Sequence, residues 1–290
     1  MSQAVALGFS ALALSSILAL AALGFLVLHQ ASGVINFAHG DLITLGAYVA
    51  FWSVSDLGIA VVPSYLLAIL TLVVVGVVLE RTAYAPLRKR PHVVVLIATL
   101  AAALILRAAI SLWQGSTPVR LDSPLSGSSI EILGATISAQ RILIIVAAGV
   151  TIAAVALLLH RTQFGCELRA VAQDPEAASL CGVNTRNVSL IAWGLSAGLA
   201  ALAAVLLAPL TVLSLGFGFS VMLGAFAAAV IGGFGSIRGV CAGALLIGFL
   251  EQFVGGYVLK DFASTLPFIA MLVILAVRPA GLFSTASERL

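Results

Sequence analysis

Nine stretches of about 20 mostly apolar residues run through the chain, and they constrain its fold more than any other feature. A helix needs about 20 such residues to cross the hydrocarbon core of a bilayer. Only helices and closed barrels satisfy every backbone polar group in lipid, and runs such as 94–106 lack the polar alternation of barrel strands. We therefore predict an all-α, polytopic transmembrane helical bundle of about nine spans, within a range of eight to ten. The stretches are 5–28, 33–53, 58–79, 93–113, 140–159, 188–208, 219–235, 239–257 and 263–278.

The charge content excludes two other classes of protein. Only 9% of the 290 residues are charged, whereas a soluble domain carries roughly 25%. Disordered chains are excluded for the opposite reason, because they are rich in charge and poor in apolar residues. The three cysteines, Cys166, Cys181 and Cys241, show neither metal-ligand nor disulfide spacing, so we predict no metal and no cofactor. The net charge of +3 comes mainly from loops and does not indicate a nucleic-acid partner.

The basic residues of the loops predict the orientation of the chain. Cytoplasmic loops of membrane proteins are enriched in Lys and Arg. This rule places 80–92, 160–187, the turn at Arg238 and the C-terminus in the cytoplasm, and nine spans then place the N-terminus outside. The residues on the basic side are Arg81, Arg88, Lys89, Arg90, Arg161, Arg169, Arg186, Arg238, Arg278 and Arg289, against Arg120 and Lys260 on the other. The loop 114–139 is predicted to be a small extracytoplasmic hairpin or cap.

Two of the nine stretches have the marks of broken or re-entrant helices. The stretch 33–53 opens on polar residues, and 219–235 is short and rich in glycine. Residues 40–50 (GDLITLGAYVA) and 218–228 (GFSVMLGAFAA) share a glycine, a Leu-Gly-Ala-aromatic run and an alanine. In the nine-span topology the copies run in opposite directions, which makes them a candidate inverted repeat, and such pairs enclose transport sites. The alternative is chance similarity in a chain with 27 glycines.

Polar residues inside apolar spans mark a candidate pathway. Unpaired polar groups cost on the order of several kcal/mol in lipid, so they should face the bundle interior or a wet cavity. Asn36 and Asp41 have two readings: they contact a solute, or they cap the free N–H groups of a broken helix. Glu251 and Arg107 lie inside apolar spans and are expected to be paired or to face a cavity; for Arg107, near the outer end of its span, snorkelling to the interface is the favoured alternative. The pathway candidates are Asn36, Phe37, His39, Gly40, Asp41, Phe217, Phe219 and Glu251.

The loop 160–187 is predicted to carry a short helix. Asp174-Pro175 is typical of an N-cap followed by proline at the first helical position, and Gly182 suits the left-handed residue that ends a helix. The run from Glu176 to Gly182 matches the EAA-x3-G pattern of the coupling loops in ABC importer permeases. A solvated interfacial helix is the alternative. The coupling candidates are Asp174, Glu176, Ala177, Ala178 and Gly182.

Five blocks in order make the chain resemble the LivH-type permease subunits of branched-chain amino acid ABC transporters. The blocks are 33–48 (GVINFAHGDLITLGAY), 80–88, 162–184, 229–239 and 278–283. The I-x-L-P tail of the general EAA motif is absent after Gly182, as it is in this family generally, so the EAA motif is only partial. The resemblance implies a single permease domain over 1–290 in a bacterial plasma (inner) membrane. It also implies a LivM-like second permease, two ATP-binding subunits and an extracytoplasmic solute-binding protein as partners.

The sequence contains no G-x-x-x-x-G-K-[ST] motif, so ATP would be hydrolysed on those partners and the chain itself is not expected to be an enzyme. The expected cargo is a branched-chain amino acid, with urea or a short amide as the alternative. A secondary transporter or channel should hold more intramembrane ionisable groups than this chain does. An intramembrane enzyme using His39 and Asp41 would need a nucleophile or metal ligands beside them, and the sequence places none there.

Overall fold

A computed structural model describes residues 2–88, 90–123, 125, 128–132, 135–257, 265–278 and 281–283. Lys89, Lys260 and Arg289, which contributed to the predicted orientation, lie outside the described residues. The helices are α1 (Ser2–Ser32), α2 (His39–Ser55), α3 (Val61–Leu79), α4 (His92–Gln114), α5 (Ala139–Arg161), α6 (Gln163–Gln173), α7 (Pro175–Leu180), α8 (Thr185–Leu207), α9 (Phe217–Gly232), α10 (Ile237–Tyr257) and α11 (Leu266–Val277). A π-helical turn, Glu80–Tyr84, follows α3, and a 3-10 turn, Ala208–Leu210, follows α8.

Each of the nine apolar stretches falls on one of these helices, which confirms the helical membrane fold. Among the described residues, six helices are long and apolar enough to cross a bilayer: Gln3–Ser32, Val61–Tyr84, His92–Gln114, Ala139–Arg161, Thr185–Leu210 and Ile237–Tyr257. Helices α2, α9 and α11 are shorter, with 17, 16 and 12 residues. The stretch 33–53 begins with six non-helical residues before α2, as expected of a broken helix.

Helix α3 shows how the sequence separates a packed face from a lipid-facing one. Its buried residues recur every four positions, and its large exposed side chains recur at the same interval on the opposite side. All of the exposed ones are aliphatic, which suits hydrocarbon and not water. The buried set is Ser64, Ala68, Leu72 and Gly76, and the exposed set is Val62, Leu66, Leu70, Val74 and Val78.

The chain divides into two compact units, and the first comprises 1–23, 122–152 and 221–290. Glycines set its close helix contacts: a Cβ on Gly243 or Gly232 would meet backbone atoms of Ala228 or Gly239, respectively. This unit also holds a hairpin of β1 (Ser129–Ile132) and β2 (Ala135–Ser138), which pair antiparallel with Ser129 opposite Ser138. The structure thus contains a hairpin within 114–139, and its extracytoplasmic location stays a prediction.

The second unit comprises 24–121 and 153–220 and contains α2, α3, α4 and α8. A Cβ on Gly76 would lie 2.7 Å from the carbonyl oxygen of Trp193, so the absence of a side chain there lets α3 approach α8 closely. At the end of α3 the π-helical turn buries Glu80 completely, and Ser189 of α8 donates a hydrogen bond to its Oε1 at 3.1 Å. These contacts hold α3 and α8 as a platform against which α2 packs.

Candidate translocation site and coupling loop

The start of α2 lies well inside the length of α1. His39, the first residue of α2, is fully buried, and its ring centroid lies 4.4 Å from that of Phe25. A Cβ on Gly24 would come within 2.7 Å of His39 Cε1. Because Gly24 precedes the end of α1 by eight residues, this contact lies roughly 12 Å back along that helix. The chain therefore turns back beside α1 before α2 begins.

No side chain caps α2. Its N-cap residue is Ala38, whose side chain cannot accept a hydrogen bond from the N–H groups of the first turn. Asn36 Oδ1 instead accepts a hydrogen bond at 3.0 Å from the backbone N–H of Ala38 itself, which closes a local turn before the helix. Asp41 lies inside the first turn of α2 and faces a cation. Asn36 therefore accepts one N–H group at the start of α2, whereas Asp41 is bonded to Arg107 and not to the backbone of the first turn.

Asp41 and Arg107 form a two-bond ion pair between α2 and α4. Arg107 Nε donates to Asp41 Oδ1 at 2.9 Å, and Nη2 donates to Oδ2 at 3.3 Å. The Asp41 side chain is 3% exposed and that of Arg107 is 39% exposed. Arg107 stands seven residues before the end of α4, about 10 Å along its axis. Arg107 is thus paired, as expected of a charged residue inside an apolar span, and its guanidinium binds the buried carboxylate of α2 instead of extending alone to the interface.

The first turn of α9 meets the same part of α2. The backbone N–H of Gly218 donates to Thr44 Oγ1 at 3.0 Å, and a Cβ on Gly218 would lie 2.8 Å from Thr44 N and close against the carbonyl of Gly40. Phe219, the next residue, is 46% exposed and places its ring centroid 5.8 Å from Arg107 Cζ. That distance and geometry suit a cation–π contact.

The two similar segments share one helical register. Gly40 is the second residue of α2, and Gly218 is the second residue of α9. Asp41 and Phe219 therefore occupy equivalent positions in the segments 40–50 and 218–228. Both side chains contact Arg107, one through an ion pair and the other through its ring. Equivalent positions of the candidate repeat thus converge on one guanidinium.

The remaining pathway candidates have separate surroundings. The backbone N–H of Phe37 donates to Thr99 Oγ1 of α4 at 3.4 Å. Phe217 is buried, at 7% exposure. Glu251 belongs to the first unit, is partly buried in α10, and makes no hydrogen bond or ion pair among the described residues. Across the described part of the chain, no three His, Cys, Asp or Glu side chains are placed to hold a metal ion.

The loop 160–187 contains two helices where the sequence predicted one. Helix α6 begins after Thr162, whose Oγ1 accepts the N–H of Gly165, and Gly165 packs against the backbone of Leu159. The predicted helix is α7: Asp174 Oδ1 accepts from the N–H groups of Glu176 and Ala177 at 2.9 and 3.0 Å.

The end of α7 also follows the prediction, since Gly182 has a φ of +87°. The side chains of Glu176 and Ala177 are exposed, whereas Ala178 is buried. Leu180, at the last position of α7, is 89% exposed. The helix thus has one buried anchor and an exposed face that includes an apolar residue.

Sequence reasoning missed Arg107, Thr44 and Thr99 as members of the site. Of these three residues, only Arg107 could have been found from the sequence, because a cation inside an apolar span requires a partner. The equivalence of positions 41 and 219 did not single out the α4 residue that contacts both.

Known transport permeases match this chain along nearly its whole length. The family described as "Branched-chain amino acid transport system / permease component" matches residues 8–275. The high-affinity branched-chain amino acid transport system permease protein LivH of Salmonella typhimurium is 31% identical over 287 residues, covering 94% of this chain and 93% of its own length. BraD of Pseudomonas aeruginosa, a permease protein of the same description, is 33% identical, with 93% and 92% covered. The solved structure of PsaBC from Streptococcus pneumoniae in complex with Fab aligns over 92% of this chain and 89% of its own, with a TM-score of 0.49 and 12% identity.

Proposed function

The chain belongs to the family of permease components of branched-chain amino acid transport systems, and from that premise we propose that it is a membrane-spanning subunit of an ATP-driven importer for branched-chain amino acids. The observation that carries the proposal is the Asp41–Arg107 pair, two charges held among apolar helices where α2 and α9 both begin. Charged groups at such depth are costly and are retained where a polar solute must pass. Helix starts inside a membrane are a recurring feature of such sites.

In this proposal the pathway of the second unit is lined by Asn36, Phe37, Gly40 and Asp41 from the start of α2, and by Phe217 and Phe219 from the start of α9. Asn36 supports the assignment because its Nδ2 is buried and has no hydrogen-bond partner among the described residues. A buried donor of this kind is costly unless water or a solute accepts its hydrogen bond. We assign His39, packed against Gly24 and Phe25, to positioning the helix start. Glu251 is the candidate in the first unit.

The partners proposed for the chain are a LivM-like second permease, two ATP-binding subunits and an extracytoplasmic solute-binding protein. The complex would lie in a bacterial inner membrane with the C-terminus of this chain in the cytoplasm and its N-terminus outside. The loop 160–187 would then face the ATP-binding subunits. Its exposed α7, carrying Asp174, Glu176, Ala177, Ala178 and Gly182, would dock on them and pass their movement to α8, against which α6 and α7 both pack.

Reconstitution into proteoliposomes with the second permease, the two ATP-binding subunits and the binding protein tests the function. We expect uptake of leucine, isoleucine and valine that requires ATP. Uptake of urea or a short amide in preference to these amino acids would assign a different cargo. Uptake that persists without the ATP-binding subunits would show an ATP-independent transporter or channel and would overturn the proposal.

Substitution of α7 tests the coupling role separately. Glu176→Ala combined with Gly182→Val should reduce both ATPase assembly and uptake at least several-fold, because one change removes an exposed contact and the other strains a left-handed residue. Glu131→Ala, an exposed glutamate on β1, is the matched control and should leave both unchanged. Intact assembly and uptake in the double variant would reject the coupling role of α7.

A further inference from the structure

Arg107 and Asp41 have the chemistry of a receptor for a zwitterion. Arg107 uses Nε and Nη2 to bind Asp41, and within the described part of the chain its Nη1 donates to no group. A guanidinium offers five N–H donors in a planar fork that matches a carboxylate. With 39% of its side chain exposed, Arg107 is open to a second anion, whereas Asp41 is 3% exposed and covered by its cation.

We propose that these residues form a site for the amino acid in transit, in which Arg107 binds the α-carboxylate and Asp41 binds the α-ammonium. This inference rests on the proposed function and specifies the chemical class of the cargo. In the empty site the two side chains neutralise each other. When a zwitterion enters, each of them exchanges its partner for the opposite charge of the solute, and the site stays neutral throughout. No charge is left unpaired in the low-dielectric interior, which is the costly outcome when an ion pair opens without a replacement.

Phe219 completes the match to an aliphatic amino acid. Its ring is 46% exposed and lies beside the guanidinium, at 5.8 Å from Cζ. An apolar surface next to the carboxylate-binding group is suited to the hydrocarbon side chain of such a solute. Carboxylate, ammonium and side chain thus each meet one group: Arg107, Asp41 and Phe219. Urea and neutral amides carry no charges and supply nothing to replace the Asp41–Arg107 bonds.

Binding of one-charge analogues to the wild-type complex tests the proposal without any substitution. The permease pair with its ATP-binding subunits is heated in the presence of L-leucine, leucinamide, which lacks the carboxylate, or 4-methylpentanoate, which lacks the ammonium. We expect L-leucine to raise the unfolding temperature and each analogue to raise it by less than a third as much. Equal shifts with an analogue, or no shift with L-leucine, would overturn the zwitterion site.

Three variants distinguish a solute-binding role of Asp41 and Arg107 from a purely structural role of their ion pair. Arg107→Gln and Asp41→Asn should each lower the maximal rate of leucine uptake at least tenfold at saturating binding protein. The double variant, in which no charge is left unpaired, should assemble like the wild type but transport no better than either single one. Recovery of the double variant to within twofold of the wild type would show that the pair only supports the fold. Arg120→Gln, which removes an exposed arginine after α4, is the matched control and should transport normally.

Failure of this inference is distinguishable from failure of the proposed function. If the wild-type complex imports leucine with ATP and the double variant recovers, the function stands and the zwitterion site falls. If the wild-type complex imports no amino acid, both the proposed function and the zwitterion site are rejected.

Discussion

Gly218 donates its backbone N–H to Thr44 Oγ1 across 3.0 Å, so the first turn of α9 rests directly on α2. A hydroxyl on one helix satisfies a donor at the beginning of another, where the helix itself supplies no partner. The contact leaves no space for a side chain at position 218, since a Cβ would also press on the carbonyl of Gly40. The first turns of α2 and α9 are thereby fixed against each other beside the Asp41–Arg107 pair.

Gly218→Ala should therefore impair transport. The added methyl group must displace the first turn of α9 from α2, at a cost of about 1–3 kcal/mol, and Phe219 moves with it. We expect at least a fivefold fall in leucine uptake, measured in proteoliposomes. Gly216→Ala is the matched control, because nothing lies within 4 Å of a Cβ there. Equal activity of the two variants would show that the close contact is dispensable.

Gly76→Ala should destabilise the packing of α3 on α8. A Cβ at this position would lie 2.6 Å from the Cβ of Ala197 and 2.7 Å from the carbonyl of Trp193. Overpacking of this kind costs about 1–3 kcal/mol. The melting temperature in detergent should fall, whereas Gly149→Ala, with nothing within 4 Å, should keep or raise it. A Gly76→Ala protein as stable as the wild type would contradict the tight α3–α8 contact.

Asp174→Ala should weaken α7. The carboxylate accepts two backbone N–H groups of a helix only six residues long, and losing an N-cap costs about 1 kcal/mol. We expect weaker association with the ATP-binding subunits, measured by co-purification, and a matching loss of uptake. Asp174→Asn keeps an acceptor at the cap and should associate normally. An Ala variant that associates as tightly as the Asn variant would rule out a role for the cap.

Tyr48→Phe should leave stability unchanged or increase it. The Tyr48 hydroxyl is buried, and among the described residues it has no hydrogen-bond partner. Removing an unsatisfied buried group relieves a desolvation cost. Tyr84→Phe is the control, because that hydroxyl donates to the carbonyl of Ser32 at 3.4 Å and its loss should cost about 1 kcal/mol. A similar loss of melting temperature in both variants would mean that Tyr48 holds a water or a solute.

Local signals in the sequence predicted local structure well. The nine helices that contain the apolar stretches were predicted from the length of those stretches. The two ends of α7 were predicted from Asp174-Pro175 and Gly182, because capping depends on neighbours within a few residues. The ion pair did not follow, since Asp41 and Arg107 lie 66 residues apart and no periodicity joins them. Arg107 was expected to snorkel because the sequence shows its distance from the end of the span but not the carboxylate that faces it.

The Asp41–Arg107 pair also bears on how the protein enters the membrane during synthesis. The aspartate is made 66 residues before the arginine, and at about 5–20 residues per second a ribosome takes roughly 3–13 s to cover that gap. Throughout this interval α2 carries a carboxylate with no counterion. Release of α2 alone into lipid is therefore unfavourable until α4 has emerged. We therefore expect α2, α3 and α4 to enter the lipid together, so that the ion pair forms as they do.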